Sequence, residues 1–362
     1  MTFKGKPVDA KTIGKDLGVR YVLEGSVQPS GDRMRVNAQL IDASSGAHLW
    51  AEQFDTTRAD LLQTQDEIVT RLARALDLQL TKAEAARLKR TPAANPTAED
   101  LALQCVAGAM KGGYVGKEAD LGYALCEQAL ALDPNNARAL EWSGVKFFMQ
   151  AGLGVTSDRE GDIRRADELA SRALALDPDN LHVLKGNILQ IEGRTEEAVA
   201  EHEQALALDP SHVDGNANLG VDYLYLGRPD KSLEYLDRAI RVSPYDPALL
   251  YWYGLKAWAY FGLKQYNQAI DWARRAIAIN PNYIPYTHVV LVAALALTDH
   301  EAEAREALQR YLALPTSAPL KTIAAWKAYY KSKVSEQHPD PRFFEINERM
   351  YDGLRKAGMP EE

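Results

Sequence analysis

From residue 98 onward, apolar residues recur at spacings of three and four, the period of amphipathic helices. The helical runs keep ending in one way: Ala131-Leu-Asp-Pro134, Ala175-Leu-Asp-Pro178, Ala207-Leu-Asp-Pro210, Arg241-Val-Ser-Pro244, Ala278-Ile-Asn-Pro281 and Ala313-Leu-Pro315. The prolines are 44, 32, 34, 37 and 34 residues apart. Proline suits this point because it cannot continue one helix but can begin the next. Small residues recur where paired helices must cross closely. On first helices these are Gly144, Gly186, Gly220 and Ala257; on second helices Ala166 pairs with Ala173, Ala198 with Ala205 and Ala269 with Ala276. Gly193 and Gly227 fall at turns between helices, where a positive φ is expected. The pattern predicts about six helical hairpins in series.

A helix–turn–helix period of 34 residues is that of the tetratricopeptide repeat. Residues 98–316 resemble that family. The run Asn216-x-x-Leu219-Gly220-x-x-Tyr223, followed by Ala239 and Pro244, matches the family pattern closely, although the usual leading tryptophan is missing. The 44-residue gap is accounted for by an insertion, Leu153 to Gly161, between the helices of the second unit. The resemblance implies a mainly α-helical solenoid whose first helices line a concave groove that holds a protein or peptide partner. Residues 317–362 would cap it with further helices.

Before the repeats the period changes. Asp9 to Leu17 suggests a short helix ending at Gly18. Three strand-like runs follow, Arg20 to Gln28, Met34 to Leu40 and His48 to Phe54, separated by Pro29-Ser-Gly-Asp32 and Ser44-Ser-Gly46. They predict a three-stranded antiparallel meander in a small, incomplete α+β module over residues 1–57. An apolar face through Leu61, Leu62, Ile68, Val69, Leu72, Leu76 and Leu80 predicts a long connecting helix over residues 58–90. The prolines within residues 91–97 make that stretch a linker.

Leu17-Gly-Val-Arg-Tyr-Val-Leu-Glu-Gly-Ser-Val27, Arg35 to Asp42, Gly46-Ala-His-Leu-Trp50 and Gln65-Asp-Glu-Ile68 together are similar to a TolB N-terminal-like module. In bacterial signalling proteins that module joins tetratricopeptide repeats to an output domain, commonly a class III adenylate/guanylate cyclase and sometimes a winged-helix DNA-binding domain. The tail Gly353-Leu-Arg-Lys-Ala-Gly-Met-Pro360 resembles the cyclase-linked group. The group usually carries a strand, a helix and another strand ahead of the segment that begins here near Phe3. The resemblance therefore implies the C-terminal part of a longer architecture.

The totals narrow the function. A chain of 362 residues exceeds one compact core. A net charge of −8, with both signs mixed along the chain, argues against a nucleic-acid binder. The longest apolar run, Val289 to Leu297, is far short of a membrane span. The expected location is the cytoplasm. Cys105 and Cys126, each on an apolar helix face, suggest two small core side chains, and a disulfide would need a close approach that spacing cannot show. No metal or cofactor is expected: Glu201-His202-Glu203 and His300-Glu301-Ala-Glu303 suggest charges on exposed helix faces, without ligand spacing. Asp42 and Asp55 suggest turn residues. Gly113-Tyr-Val-Gly116-Lys117 lacks the spacing and the preceding strand of a phosphate loop. No nucleophile has a motif-level base.

Register along the first helices places Asn187, Gln190, Asn218, Tyr225, Tyr251, Trp258 and Phe261 toward the groove, the last three in the most aromatic stretch of the chain, Leu249 to Phe261. The lysine positions of a carboxylate clamp are filled by Glu141, Val183 and Ala217, so an extended or helical partner segment is expected, or self-association. The leading expectation is a non-catalytic regulatory segment linked to a cyclase-type output. The alternatives are a free-standing adaptor or assembly factor, or the sensory half of a winged-helix transcription regulator.

Overall fold

The structure, a computed structural model, describes residues 9–57, scattered positions between 69 and 87, and residues 96–362 apart from short connections at 112–113, 115, 154–155, 178–181, 245, 247, 282–284, 299, 315–319 and 332–339. It divides into two compact units, residues 1–134 and 135–362. Each is taken by itself.

In the first unit, α1 (Ala10–Leu17) starts where the Asp9 side chain accepts from the Thr12 backbone N–H at 3.0 Å, and it stops at Gly18, whose φ of 66° only glycine adopts without strain. The strands β1 (Tyr21–Ser30), β2 (Arg33–Asp42) and β3 (Ala47–Thr57) form an antiparallel meander in the order β1-β2-β3, with a register shift between Leu40 and Ile41. Ala10 and Ile13 of α1 pack on Val22, Ile41 and Ala43. Asp42 is a turn residue, accepting from the N–H groups of Ser44 (2.8 Å) and Ser45 (3.2 Å). Asp55 corrects its turn assignment. It lies inside β3 directly opposite Arg35, whose Nε donates to it at 2.8 Å, because the strand runs past the apolar alternation that marked its end.

The expected connecting helix falls mostly outside the described residues, as does most of the linker. The described positions within it, among them Val69, Leu80 and Glu84, are helical. Glu84 accepts from Arg20 Nη1 at 2.6 Å, Tyr21 Oη at 2.7 Å and Arg87 Nε at 2.8 Å. Burial opposes the Glu84 charge, but the three donors from Tyr21, Arg20 and Arg87 together outweigh it and hold the carboxyl below its usual range. Burial and the Glu84 carboxylate push Tyr21 up to about 12. A depressed carboxyl contributes stability above its unfolded pKa, about 4.3, and loses it as pH falls through the lower folded value. Thermal melts of wild type and Glu84→Gln are therefore expected to differ at neutral pH and to converge in acid.

The same unit holds the first hairpin, α2 (Ala98–Lys111) and α3 (Lys117–Leu132). A reciprocal cap starts α2: Thr97 N–H donates to Asp100 at 3.0 Å, and Asp100 N–H to Thr97 Oγ1 at 3.1 Å. The helices cross at Gly108 and Gly122. A Cβ on Gly122 would lie 2.6 Å from the Ala109 backbone nitrogen. Within about one turn of this crossing, Cys105 and Cys126 are joined in a disulfide, Cα atoms 5.4 Å apart and both residues fully buried. This corrects the expectation of two separate core thiols: glycines at the crossing bring the backbones close enough to bond. Closing a loop of this length is worth about 3 kcal/mol. Dithiothreitol is expected to lower the wild-type melting midpoint and to leave a Cys105→Ala/Cys126→Ala variant unmoved.

The second unit is a helical solenoid. Five hairpins follow in series: α4 (Ala137–Leu153) with α5 (Arg159–Leu176), α6 (His182–Ile191) with α7 (Thr195–Leu208), α8 (Val213–Tyr225) with α9 (Pro229–Val242), α10 (Leu249–Gly262) with α11 (Tyr266–Ile279), and α12 (Pro285–Ala296) with α13 (Glu301–Ala313). The expected insertion is the connection between α4 and α5, closed by Asp158, whose side chain caps α5 through Gly161 N–H at 2.9 Å. Gly193 and Gly227 take the expected positive φ. The small residues of the sequence pattern sit at the crossings: a Cβ on Gly220 would meet the Leu236 side chain at 2.7 Å. Successive hairpins are also tied by a repeated ion pair, Lys185 of α6 with Asp167 of α5 and Lys256 of α10 with Asp237 of α9. Two last helices, α14 (Ile323–Lys331) and α15 (Pro341–Ala357), complete the unit.

Candidate functional site

The first helices α4, α6, α8, α10 and α12 touch one another in succession and form the inner layer of the second unit. The sequence pattern places the expected groove on the face these helices share. Its C-terminal half is filled by the chain itself. Helix α15 packs on α12, where a Cβ on Gly353 would meet Ala293 backbone and Cβ atoms at 2.7–2.9 Å. It also reaches the ends of α8 and α10: Arg349 Nη2 donates to the Gly262 carbonyl at 2.8 Å, and a Cβ on Gly227 would lie 2.7 Å from Phe343 N.

Rings from four helices meet beneath it. The Trp258 ring lies 5.8 Å from Tyr225, 6.2 Å from Tyr286, 5.3 Å from Tyr330 and 6.1 Å from Phe343. Tyr251 joins through Tyr286, which donates from its hydroxyl to the Tyr251 carbonyl at 3.2 Å. Burial, then neighbouring tyrosines, pushes the hydroxyls of Tyr225, Tyr286 and Tyr330 well above their ordinary range, so they remain neutral. The tail is anchored at both ends. Tyr311 donates to the Leu320 carbonyl, Trp326 Nε1 donates to Tyr311 Oη at 3.2 Å, and the N–H groups of Ile323 and Ala324 bond the carbonyls of Pro360 (3.0 Å) and Glu361 (2.9 Å).

The seven expected groove residues separate into three groups. Tyr225, Tyr251 and Trp258 lie in the aromatic layer under the C-terminal helices. Phe261 is fully buried and packs on Tyr266 of its own hairpin, where it offers no surface. The remaining three lie on α6 and α8. Asn187 is half-buried; Asn218 donates to the Asp214 carbonyl one turn back at 2.8 Å; Gln190 donates to Asp222 at 2.5 Å.

That last bond leads to residues the sequence reading misplaced. His202 is not on an exposed face. It is completely buried, with Nδ1 2.6 Å from Asp222 Oδ2 and Nε2 3.3 Å from the Val183 carbonyl. The Glu-His-Glu triplet looks like surface, but His202 lies four residues after Ala198, on the stripe that faces the partner helix. Gly186 leaves room for it: a Cβ there would sit 2.4 Å from the imidazole. Among the described residues, no group of three metal-ligating side chains comes together, and no helix is long and apolar enough to cross a membrane.

Residues 181–212 and 213–282 match models of the tetratricopeptide repeat family. The chain carries tetratricopeptide repeats, which mediate protein–protein interaction. It is 33% identical over 178 residues to a protein of Rhizobium meliloti (strain 1021) named "Putative adenylate cyclase 3", covering 48% of this chain and 30% of that protein. It is 25% identical over 162 residues to the Schizosaccharomyces pombe protein named DnaJ homolog subfamily C member 7 homolog, covering 41% and 34%. The chain thus spans about a third of the length of these curated relatives. Solved structures share the fold: the APC/C hetero-tetramer Cut9-Hcn1, with a TM-score of 0.56, 15% identity and coverage of 70% of this chain and 47% of that one, and the human IFIT1 dimer with m7Gppp-AAAA, with a TM-score of 0.53, 19% identity and coverage of 80% and 67%.

Proposed function

We propose that this chain is a non-catalytic, protein-binding regulatory segment of a bacterial cyclase-type signalling protein. The observation that carries the reading is the 33% identity to the Rhizobium meliloti protein named as an adenylate cyclase, over 48% of this chain but only 30% of that relative. The TolB N-terminal-like motifs and the Gly353 to Pro360 tail support the same architecture. In this reading the repeats hold a protein partner along the inner face of the first helices, with Asn187 and Asn218 on the stretch beside the C-terminal helices. The residues 58–90 pass the bound state to an output domain. The chain would act in the cytoplasm, beside that domain. Incubated with ATP and Mg²⁺ or Mn²⁺, the purified chain is expected to form no cyclic AMP. Turnover that persists through purification and is lost on substitution within the chain would sink the non-catalytic assignment.

A further inference from the structure

The Cys105–Cys126 bond closes a hairpin that has little else to hold it. Beyond Leu101, Val106 and Tyr123, the residues buried in α2 and α3 are alanines, Gly122 and the two cysteines. The α8/α9 hairpin instead buries Leu219, Leu224, Leu236 and Val242. Stabilisation scales with the apolar area removed from water, so the small side chains of the first hairpin contribute less. The disulfide therefore carries a larger share of its closure. Both cysteines are fully buried, so a reductant reaches the sulfurs only when α2 and α3 open locally. In chain order this hairpin stands between residues 58–90 and the five hairpins of the second unit. A cytoplasmic setting adds a further constraint. Reductants there keep thiols reduced, and the disulfides that do form are usually transient and redox-sensing.

We propose that Cys105 and Cys126 form a redox latch: bonded, they hold α2 and α3 closed; reduced, they let the two helices part. The proposal rests on the cytoplasmic, regulatory reading above and adds the chemistry that sets its state. The reductant is a protein dithiol. One of its thiolates attacks a sulfur of the opened hairpin and breaks the S–S bond, and the released thiolate takes up a proton. The second reductant thiol then resolves the mixed disulfide, leaving Cys105 and Cys126 as thiols and the reductant as a disulfide. A peroxide reverses the change. One cysteine thiolate attacks the O–O bond, becomes a sulfenic acid and releases hydroxide; the other thiolate displaces hydroxide from that sulfur and re-forms the bond.

The test uses the oxidised full-length chain, with reduced thioredoxin as the dithiol and hydrogen peroxide as the oxidant. Free thiols are counted by the mass added by a maleimide, and amide hydrogen exchange is followed in parallel. Thioredoxin is expected to release both thiols. Amides of α2 and α3 should then exchange about a hundredfold faster, the factor that closing a loop of this length is worth, while those of α8 to α12 keep their protection. Peroxide should restore both the bond and the protection. A Cys105→Ala/Cys126→Ala chain should exchange like the reduced wild type and respond to neither reagent. A bond that thioredoxin leaves intact overnight would be a permanent staple and overturn the latch, as would full reduction without faster exchange in α2 and α3. Both readings are made without nucleotide, so a failed latch leaves the cyclase-linked function standing, and a failed cyclase assay leaves these readings unchanged.

Discussion

Asp222→Ala is expected to destabilise the second unit by about 1–3 kcal/mol, the cost of leaving buried hydrogen-bonding groups without their partner. The Asp222 carboxylate serves two buried partners at once: Oδ2 lies 2.6 Å from His202 Nδ1, and Oδ1 accepts from Gln190 Nε2 at 2.5 Å. These groups come from α6, α7 and α8, so one side chain ties two hairpins together. Removal leaves the buried His202 Nδ1 and Gln190 Nε2 without the carboxylate they share. Urea unfolding should show the midpoint fall. The control is His202→Leu/Asp222→Leu, which removes both partners and should recover much of the loss, since matched apolar replacement of a buried pair is often near neutral. Equal losses in the single and double variants would assign the effect to packing around Gly186 rather than to the polar pair.

Gly122→Leu is expected to open the first hairpin. The new Cβ would meet three backbone atoms of α2, Ala109 N at 2.6 Å, the Gly108 carbonyl carbon at 2.8 Å and Cys105 O at 3.0 Å. Backbone atoms in a helix cannot rotate away as a side-chain tip can, so the helices must separate. Overpacking typically costs about 1–3 kcal/mol, and more where nothing yields. The Cys105–Cys126 bond opposes the separation only about one turn away. Hydrogen exchange should show amides of α2 and α3 losing protection while those of α8 to α12 keep theirs, and oxidation of the thiols should slow. Unchanged protection in α2 would mean that the crossing is looser than the Gly108–Gly122 contact requires.

The hairpins were legible because their constraints are local. Proline after each second helix, a glycine or alanine at each crossing, and three-four periodicity all act within one repeat, and they located the elements to within a few residues. The meander was legible for the same reason: Leu23 opposite Leu40 and Val36 opposite Phe54 follow from alternation and short turns. What stayed hidden depends on contacts distant in sequence. Nothing near His202 reveals Asp222, twenty residues on. Nothing near Cys105 states that two glycines bring Cys126 into bonding reach. The seven expected groove residues follow from register alone, and register does not say what covers them. The occupant of Trp258 comes from Tyr330 and Phe343, more than seventy residues later. A usable signal exists in the amphipathic spacing of residues 341–357 after the repeats end, but spacing alone implies only a cap.

The central claim is that this chain regulates a cyclase-type output. The most direct test is a chimera in which it replaces the matching stretch of the Rhizobium meliloti relative, with cyclic AMP formation compared with that relative's remaining portion alone. The account predicts a change of about fivefold or more, the lower end of typical coupling between linked sites. Equal activity with and without this chain would contradict it.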